Sequence, residues 1–278
     1  MAAPSVKITI LVDNQAGPGL AAEHGFALWI ETRGGAVLFD TGQGPALPEN
    51  ARALGIDLST AAHLVLSHGH YDHTGGVRHV LEAAPLIEVH CHPGVVRPRY
   101  RKRVPIPKAI QMPRDAQAAL DHLPERQLHW ISSASRVTEA IGLTGPIPRE
   151  TPFEDTGGTF FHDPENRRPD TIEDDLALWI RTDEGLVVCV GCCHAGLINT
   201  LRHCSRLSGE NRLLAVIGGF HLLHADRRRL GETAAALERQ PVATVVPCHC
   251  TGGHAVQTLQ GVLGGRVQPG VSAAVYRF

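Results

Sequence analysis

No apolar run in the chain approaches the roughly 20 residues that a bilayer-spanning helix needs, so no membrane insertion is expected. Residues 1–5 carry no basic region, apolar core or cleavage site, and they read as something other than a signal peptide. A charge field of one sign is also missing. With 26 Lys and Arg against 28 Asp and Glu, nucleic acid is not an expected partner, although a local patch could still hold an anion. A paired cysteine framework is absent too. The seven cysteines are odd in number and five of them crowd between Cys192 and Cys250, which favours a reducing cytoplasm over a disulfide-stapled secreted fold.

What remains is a chain of 278 residues with 43% hydrophobic content, enough to bury a substantial core. It reads as a single α/β domain over residues 1–278. Strand-like runs at 6–12, 26–31 and 36–40 are rich in β-branched and aromatic residues and punctuated by glycine. A helix is expected at 46–54, a short buried strand at 63–66, a helix at 76–83 and a strand at 86–90. Order fades across 93–170, which is rich in proline and carries the basic run 97–103. So long a stretch without periodicity suggests an irregular insertion or a functional lid. Strands at 176–181, 186–190, 213–217 and 242–246 then alternate with helices at 195–205 and 225–237. His194, His221 and His249 follow three of those strands, where side chains can converge on a pocket.

Seventeen histidines are the strongest compositional signal. In the run His68-Gly69-His70-Tyr71-Asp72-His73, directly after Leu64-Val65-Leu66, three imidazoles and a carboxylate fall within six residues. Neutral imidazole nitrogen and carboxylate oxygen suit zinc, manganese or iron, and a tight loop can aim them at two neighbouring ions. Gly69, Gly75 and Gly76 give the backbone room to turn.

This run, with Thr74-Gly75-Gly76 after it and Leu38-Phe39-Asp40-Thr41-Gly42 before it, resembles the His-x-His-x-Asp-His signature of the metallo-β-lactamase superfamily. The resemblance implies an αββα sandwich. It also implies that His68 and His70 serve one metal, and Asp72 and His73 a second. It extends over nearly the whole chain through Val12-Asp13-Asn14, residues 22–26, residues 191–196, Ile217-Gly218-Gly219-Phe220-His221-Leu222 and residues 247–252. Those segments are similar to a narrower branch, the 7,8-dihydropterin-6-methyl-4-(β-D-ribofuranosyl)aminobenzene-5′-phosphate synthase-like proteins.

The chain departs from the superfamily pattern further on. No third motif of the His-x-x-x-Gly kind precedes Leu176, where Thr171-Ile172-Glu173-Asp174-Asp175 stands instead, and His194 is the best replacement ligand. Cys192 occupies the place where the superfamily often has a metal-bridging Asp; it is either a thiolate ligand or a buried structural cysteine. His249 resembles the last metal histidine. His221 is a ligand, a proton donor or a core histidine. No role is read for His24, His90, His92 or His162. The cysteines lack the four-cysteine spacing of an iron–sulfur centre, and 191–196 lacks the Lys-Ser/Thr ending of a nucleotide loop.

The resulting expectation is a hydrolase dependent on two divalent ions, zinc first, with manganese or iron also compatible. A metal-bound hydroxide would attack a small phosphorylated, pterin-like, ester or lactone substrate. Asp72 would orient the nucleophile, and His221 would assist the leaving group. Arg99 and Arg101 in the basic run are candidate phosphate contacts, against the plainer reading of a solvated loop. The rival classes are a noncatalytic metal-dependent ligand sensor and a di-iron redox protein.

Overall fold

The computed structural model describes residues 6–103, 105–240 and 242–278; the leader at 1–5 lies outside them. Two mixed sheets pack face to face. The first runs in the spatial order Val275–Arg277, Lys7–Val12, Ala27–Thr32, Gly35–Phe39, Ala61–Val65, Glu88–Cys91 and Leu128–Trp130. The second runs Val242–Cys248, Leu213–Gly219, Gly185–Val190, Ala177–Thr182, Ile141–Leu143 and Ser135–Arg136.

The two-residue period of the strands explains the layering. In Gly185–Val190, Val187 and Cys189 face the core between the sheets, together with Ile8, Ile10, Leu28 and Phe39 of the first sheet. Leu186, Val188 and Val190 face outward, under the helices Leu197–Ser208, Arg227–Arg239 and Gly253–Leu263. On the opposite side, Leu38, Leu64 and Val89 pack beneath Ala46–Ala53, Val77–Ala83 and Arg114–Asp121. The result is helix, sheet, sheet, helix, as expected.

The crossovers decide where a site can form. Gly35–Phe39 is parallel to Ala61–Val65, and Gly185–Val190, Leu213–Gly219 and Val242–Cys248 are parallel to one another. Their carboxyl ends lead into the loops that carry Asp40, Ser67 to His73, Cys192 to His194, His221 and His249, and carboxyl ends of parallel strands are where α/β sheets hold ligands.

The expectation of an irregular insertion or lid over 93–170 holds for only part of the segment. Leu128–Trp130 extends the first sheet, and Ser135–Arg136 and Ile141–Leu143 extend the second. Arg114–Asp121 buries Ala116 and Leu120 in the helix-side core. Only part of the segment covers the site, through a small sheet of Pro169–Asp170, Phe160–Phe161, Tyr100–Arg101 and Lys108–Ala109. Two- and three-residue strands are too short to leave a periodic trace in sequence.

Candidate metal centre

The His68 loop is shaped from below. Asp40, in a left-handed backbone conformation with φ 61°, accepts from the Ser67 amide and hydroxyl, both at 2.7 Å. Its Oδ2 also lies 2.7 Å from His73 Nδ1, so the carboxylate fixes that ring and turns Nε2 inward to 3.1 Å from Cys192 Sγ. Gly69 is required at its position because a Cβ there would stand 2.0 Å from the Val95 carbonyl oxygen. Its amide donates to Asp174 Oδ2 at 2.9 Å.

Around this loop the structure brings together most of the residues singled out in the sequence. The His68 and His70 rings stand nearly perpendicular, with Nε2 of the first 2.9 Å from Nδ1 of the second. The His194 ring sits 4.8 Å from the His68 ring and 5.0 Å from the His70 ring, and its Nδ1 is held at 2.8 Å by the Thr156 carbonyl. Asp72 Oδ2 lies 3.4 Å from His249 Nε2 and 3.1 Å from His24 Nε2. His249 is itself fixed by Asn14 Oδ1 at Nδ1 and by Asp13 Oδ1 at its amide. His221 stands beside His194 with 4.3 Å between ring centroids. Its ring lies against Gly157, where a Cβ would come within 1.9 Å of Cδ2.

These side chains form overlapping groups whose donor atoms lie within 4.8 Å of one another: His68, Cys192 and His194; His73, Cys192 and His249; Cys192, His221 and Cys250; and His24, Asp72 and His249. Cys192 belongs to three of them.

The donors fit metal ions on two further grounds. His70 Nε2, His194 Nε2, His249 Nε2 and His221 Nδ1 are buried without a hydrogen-bond partner, and buried polar atoms normally have one. The charge state of His68, His70 and His194 is also right. Burial, reinforced by the Arg99 guanidinium, pushes the His70 pKa down to about 3. Burial and the neighbouring histidines push His68 and His194 far down as well. Neutral rings offer the lone pairs that a metal takes.

A cavity of about 250 Å³ opens above this floor. His70, Asp72, Cys192, His221, His249 and Cys250 form its polar base, Tyr71, Ile110, Phe160 and Leu223 its apolar walls, and Arg101 and Lys108 its cationic side. Arg101 is exposed, and Lys108 Nζ is bonded to the Tyr71 hydroxyl at 2.8 Å.

The neighbouring expectation for Arg99 is overturned. Its side chain is only 1% exposed and turns away from the cavity. Nε bonds Asp170 at 2.9 Å, Nη1 bonds Asp174 at 2.8 Å, and Nη2 closes a short bond to the same Asp174 carboxylate. Because Asp174 also holds the Gly69 amide, Arg99 positions the His68 loop and does not reach the cavity. Two residues of spacing put Arg99 and Arg101 on the same face only while the strand is regular; Arg99 lies just before Tyr100–Arg101.

Sequence reasoning missed Lys108, Cys250, Asp174 and the supporting roles of Asp13, Asn14 and Asp40. Val12-Asp13-Asn14 and Cys248-His249-Cys250 stood out as segments, but a supporting residue becomes visible only when its partner's position is known.

The Metallo-beta-lactamase superfamily model matches residues 21–249. The chain belongs to this superfamily. It is 30% identical over 262 residues to the 7,8-dihydropterin-6-methyl-4-(β-D-ribofuranosyl)-aminobenzene-5′-phosphate synthase of Methanocaldococcus jannaschii, covering 89% of this chain and 88% of that one. An uncharacterized protein of the same organism is 31% identical over 254 residues, covering 91% and 93% of the two chains. Among solved structures, Tm1679, a metal-dependent hydrolase of the β-lactamase superfamily, superposes with a TM-score of 0.82 at 30% identity, covering 98% of both chains. The superfamily fold is thus shared, and the reaction is a separate question.

Proposed function

We propose that the chain is a metal-dependent hydrolase of small phosphorylated molecules, acting through a pair of divalent ions, with zinc the first choice. The observation that carries this reading is the convergence of His70, His221, His249 and Asp72 at the floor of a cavity with Arg101 and Lys108 on one side, and of His194 against His70 and His221. His68, His70 and His194 would hold one ion; Asp72, His73 and His249 would hold the other, with Cys192 between them. When bound, the ions supply Lewis acidity and an activated water.

The chain's own residues supply the rest. Arg101 and Lys108 neutralise a phosphate and orient the substrate so that its reacting bond faces the floor. Phe160 and Ile110 flank that position and limit water there. Asp72, with one oxygen shared between His24 and His249, fixes the direction of attack. His221, its ring held against Gly157 and beside Cys250, would deliver a proton to the leaving group. The synthase name of the archaeal relative supports a pterin or aryl ribose phosphate as the substrate class, since such a molecule carries both an aromatic body for these walls and an anion for this cationic side.

The test is turnover by zinc-loaded protein against phosphomonoesters, phosphodiesters, a lactone and a thioester, beside an Asp72→Ala control. Phosphoester cleavage that disappears in the control is expected. Condensation of a pterin with an aryl phosphate in the absence of any hydrolysis would replace the hydrolase reading with a synthase. Binding without turnover of any kind would make the protein a ligand sensor.

A further inference from the structure

A second histidine cluster lies apart from the centre, at the edge of the first sheet. His63 is on Ala61–Val65, Glu88 and His90 are on Glu88–Cys91, and His129 is on Leu128–Trp130, three adjacent parallel strands. The register pairs His63 with Glu88 and His90 with His129. Strand alternation puts all four on one face, opposite Leu64 and Val89, which pack under the helices. Val65, two residues from His63, belongs to the apolar core between the sheets, so polar side chains at these neighbouring positions are not explained by packing.

From this geometry we infer that His63, Glu88 and His90 form a second, peripheral binding site for a divalent metal, zinc in the first instance. The donor atoms His63 Nδ1, His90 Nε2 and a Glu88 carboxylate oxygen lie within 4.8 Å of one another. His63 Nδ1 is 3.1 Å from His90 Nε2 and 3.9 Å from Glu88 Oε2. Tetrahedral zinc with bonds of about 2.0–2.1 Å sets its ligands about 3.3 Å apart, a value between those two separations.

The surroundings of the cluster serve the same end. His129 Nε2 lies 3.0 Å from Glu88 Oε2, the outer partner that commonly fixes a ligating carboxylate, and its ring stacks on His90 at 4.6 Å and 13°. Burial, followed by the neighbouring imidazoles, lowers the His90 pKa to about 3, and burial lowers that of His63, so both rings are neutral at neutral pH. Glu88 and His129 are about half exposed, which gives an ion a way in and leaves a fourth position to water. The set shares no residue with the central donors. Joining two strands directly, and the edge strand Leu128–Trp130 through His129, it would act as a structural clamp.

The experiment loads the full chain with zinc chloride, removes excess metal by gel filtration and counts zinc per chain by elemental analysis. Wild type is expected to hold about one more zinc than either His63→Gln or Glu88→Gln, with at least a tenfold weaker apparent affinity for that zinc in the variants. The same difference is expected in a His68→Ala/His70→Ala background, so the result does not depend on the central assignment. Equal zinc in wild type and folded variants overturns the site. Wild-type protein alone supplies an independent reading if the variants fail to fold. Cu2+ added to the metal-free His68→Ala/His70→Ala chain in substoichiometric amount should broaden the amide resonances of residues 63, 88–90 and 129–130, and no broadening concentrated there overturns the site as well.

Discussion

The two halves of the chain build the centre in opposite ways. The amino-terminal half delivers His68, His70, Asp72 and His73 from a single loop and the one-turn helix Tyr71–Thr74. The carboxyl-terminal half delivers its groups from the ends of three separate strands: Cys192 and His194, His221, then His249 and Cys250. The first set depends on local sequence for its mutual spacing, whereas the second depends on the register of parallel strands. The backbone reflects this. Cys193, His221 and His249 adopt φ of 53°, 48° and 47°, in the left-handed region where a side chain costs about 1–3 kcal/mol. Each sharp turn re-aims a side chain that leaves its strand in the wrong direction, and the strand pairing behind it holds the strained conformation.

The sharpest way to break that comparison is to change charge within the local loop while leaving volume alone. Asp72→Asn removes the anionic oxygen that lies between His24 and His249, and turnover is expected to fall on the order of a hundredfold or more with the fold retained. Thermal unfolding, metal content and turnover on one preparation check it; activity retained with full metal would remove Asp72 from the proposed role. Next in size is metal binding itself. His68→Ala or His70→Ala should lower metal content measured on folded protein, because an open coordination position weakens a site. If His249→Ala lowers it equally, the strand-borne half contributes as much as the loop. Wild-type metal content in both loop variants would reject them as ligands.

Arg99→Ala tests whether the loop is as self-sufficient as its sequence suggests. Asp170 and Asp174 would be left buried without their cation, and loss of one partner from such a pair costs about 3–5 kcal/mol. Chemical denaturation should show that loss, and Arg99→Lys should recover only part of it, since an ammonium cannot reproduce the fork to both carboxylates. Unchanged stability would mean that the Gly69 loop keeps its shape without Asp174.

Legibility followed the same division. The six-residue metal run was plain in the sequence because its chemistry is contiguous, and the main strands around it were plain because each is long enough for a period of two to show. His194, His221 and His249 were visible only as histidines after strands; the sequence does not state that three strand ends meet. The cover was hardest. Its strands at Tyr100–Arg101, Lys108–Ala109 and Phe160–Phe161 have two residues each, and Tyr100–Arg101 joins the nearby Lys108–Ala109 to Phe160–Phe161 about 60 positions on. Lys108 therefore carried no signal, and Arg99 carried a misleading one, because a basic run looks solvated unless its buried acidic partners, here 71 and 75 residues away, are known.

The smallest expected effect separates the two arginines of that run. Arg101 is exposed at the cavity and Arg99 is buried beneath it, so their roles should divide between binding and folding. Arg101→Ala should change stability by no more than about 0.5 kcal/mol, as surface substitutions usually do. Its KM for a phosphorylated substrate should rise by about tenfold at low salt, reflecting one charge-assisted contact, while KM for a neutral ester of the same body stays put. Added salt should shrink the difference, because an exposed guanidinium is screened over a Debye length of about 8–10 Å. Lys108→Ala is the companion variant. Its ammonium also lies 4.5 Å above the Tyr71 ring, so its loss removes a charge and a wall contact together, and some increase in KM for neutral substrates is expected there. Equal effects of Arg101→Ala on charged and neutral substrates would return it to a solvated loop and leave Lys108 as the cationic contact of the cavity.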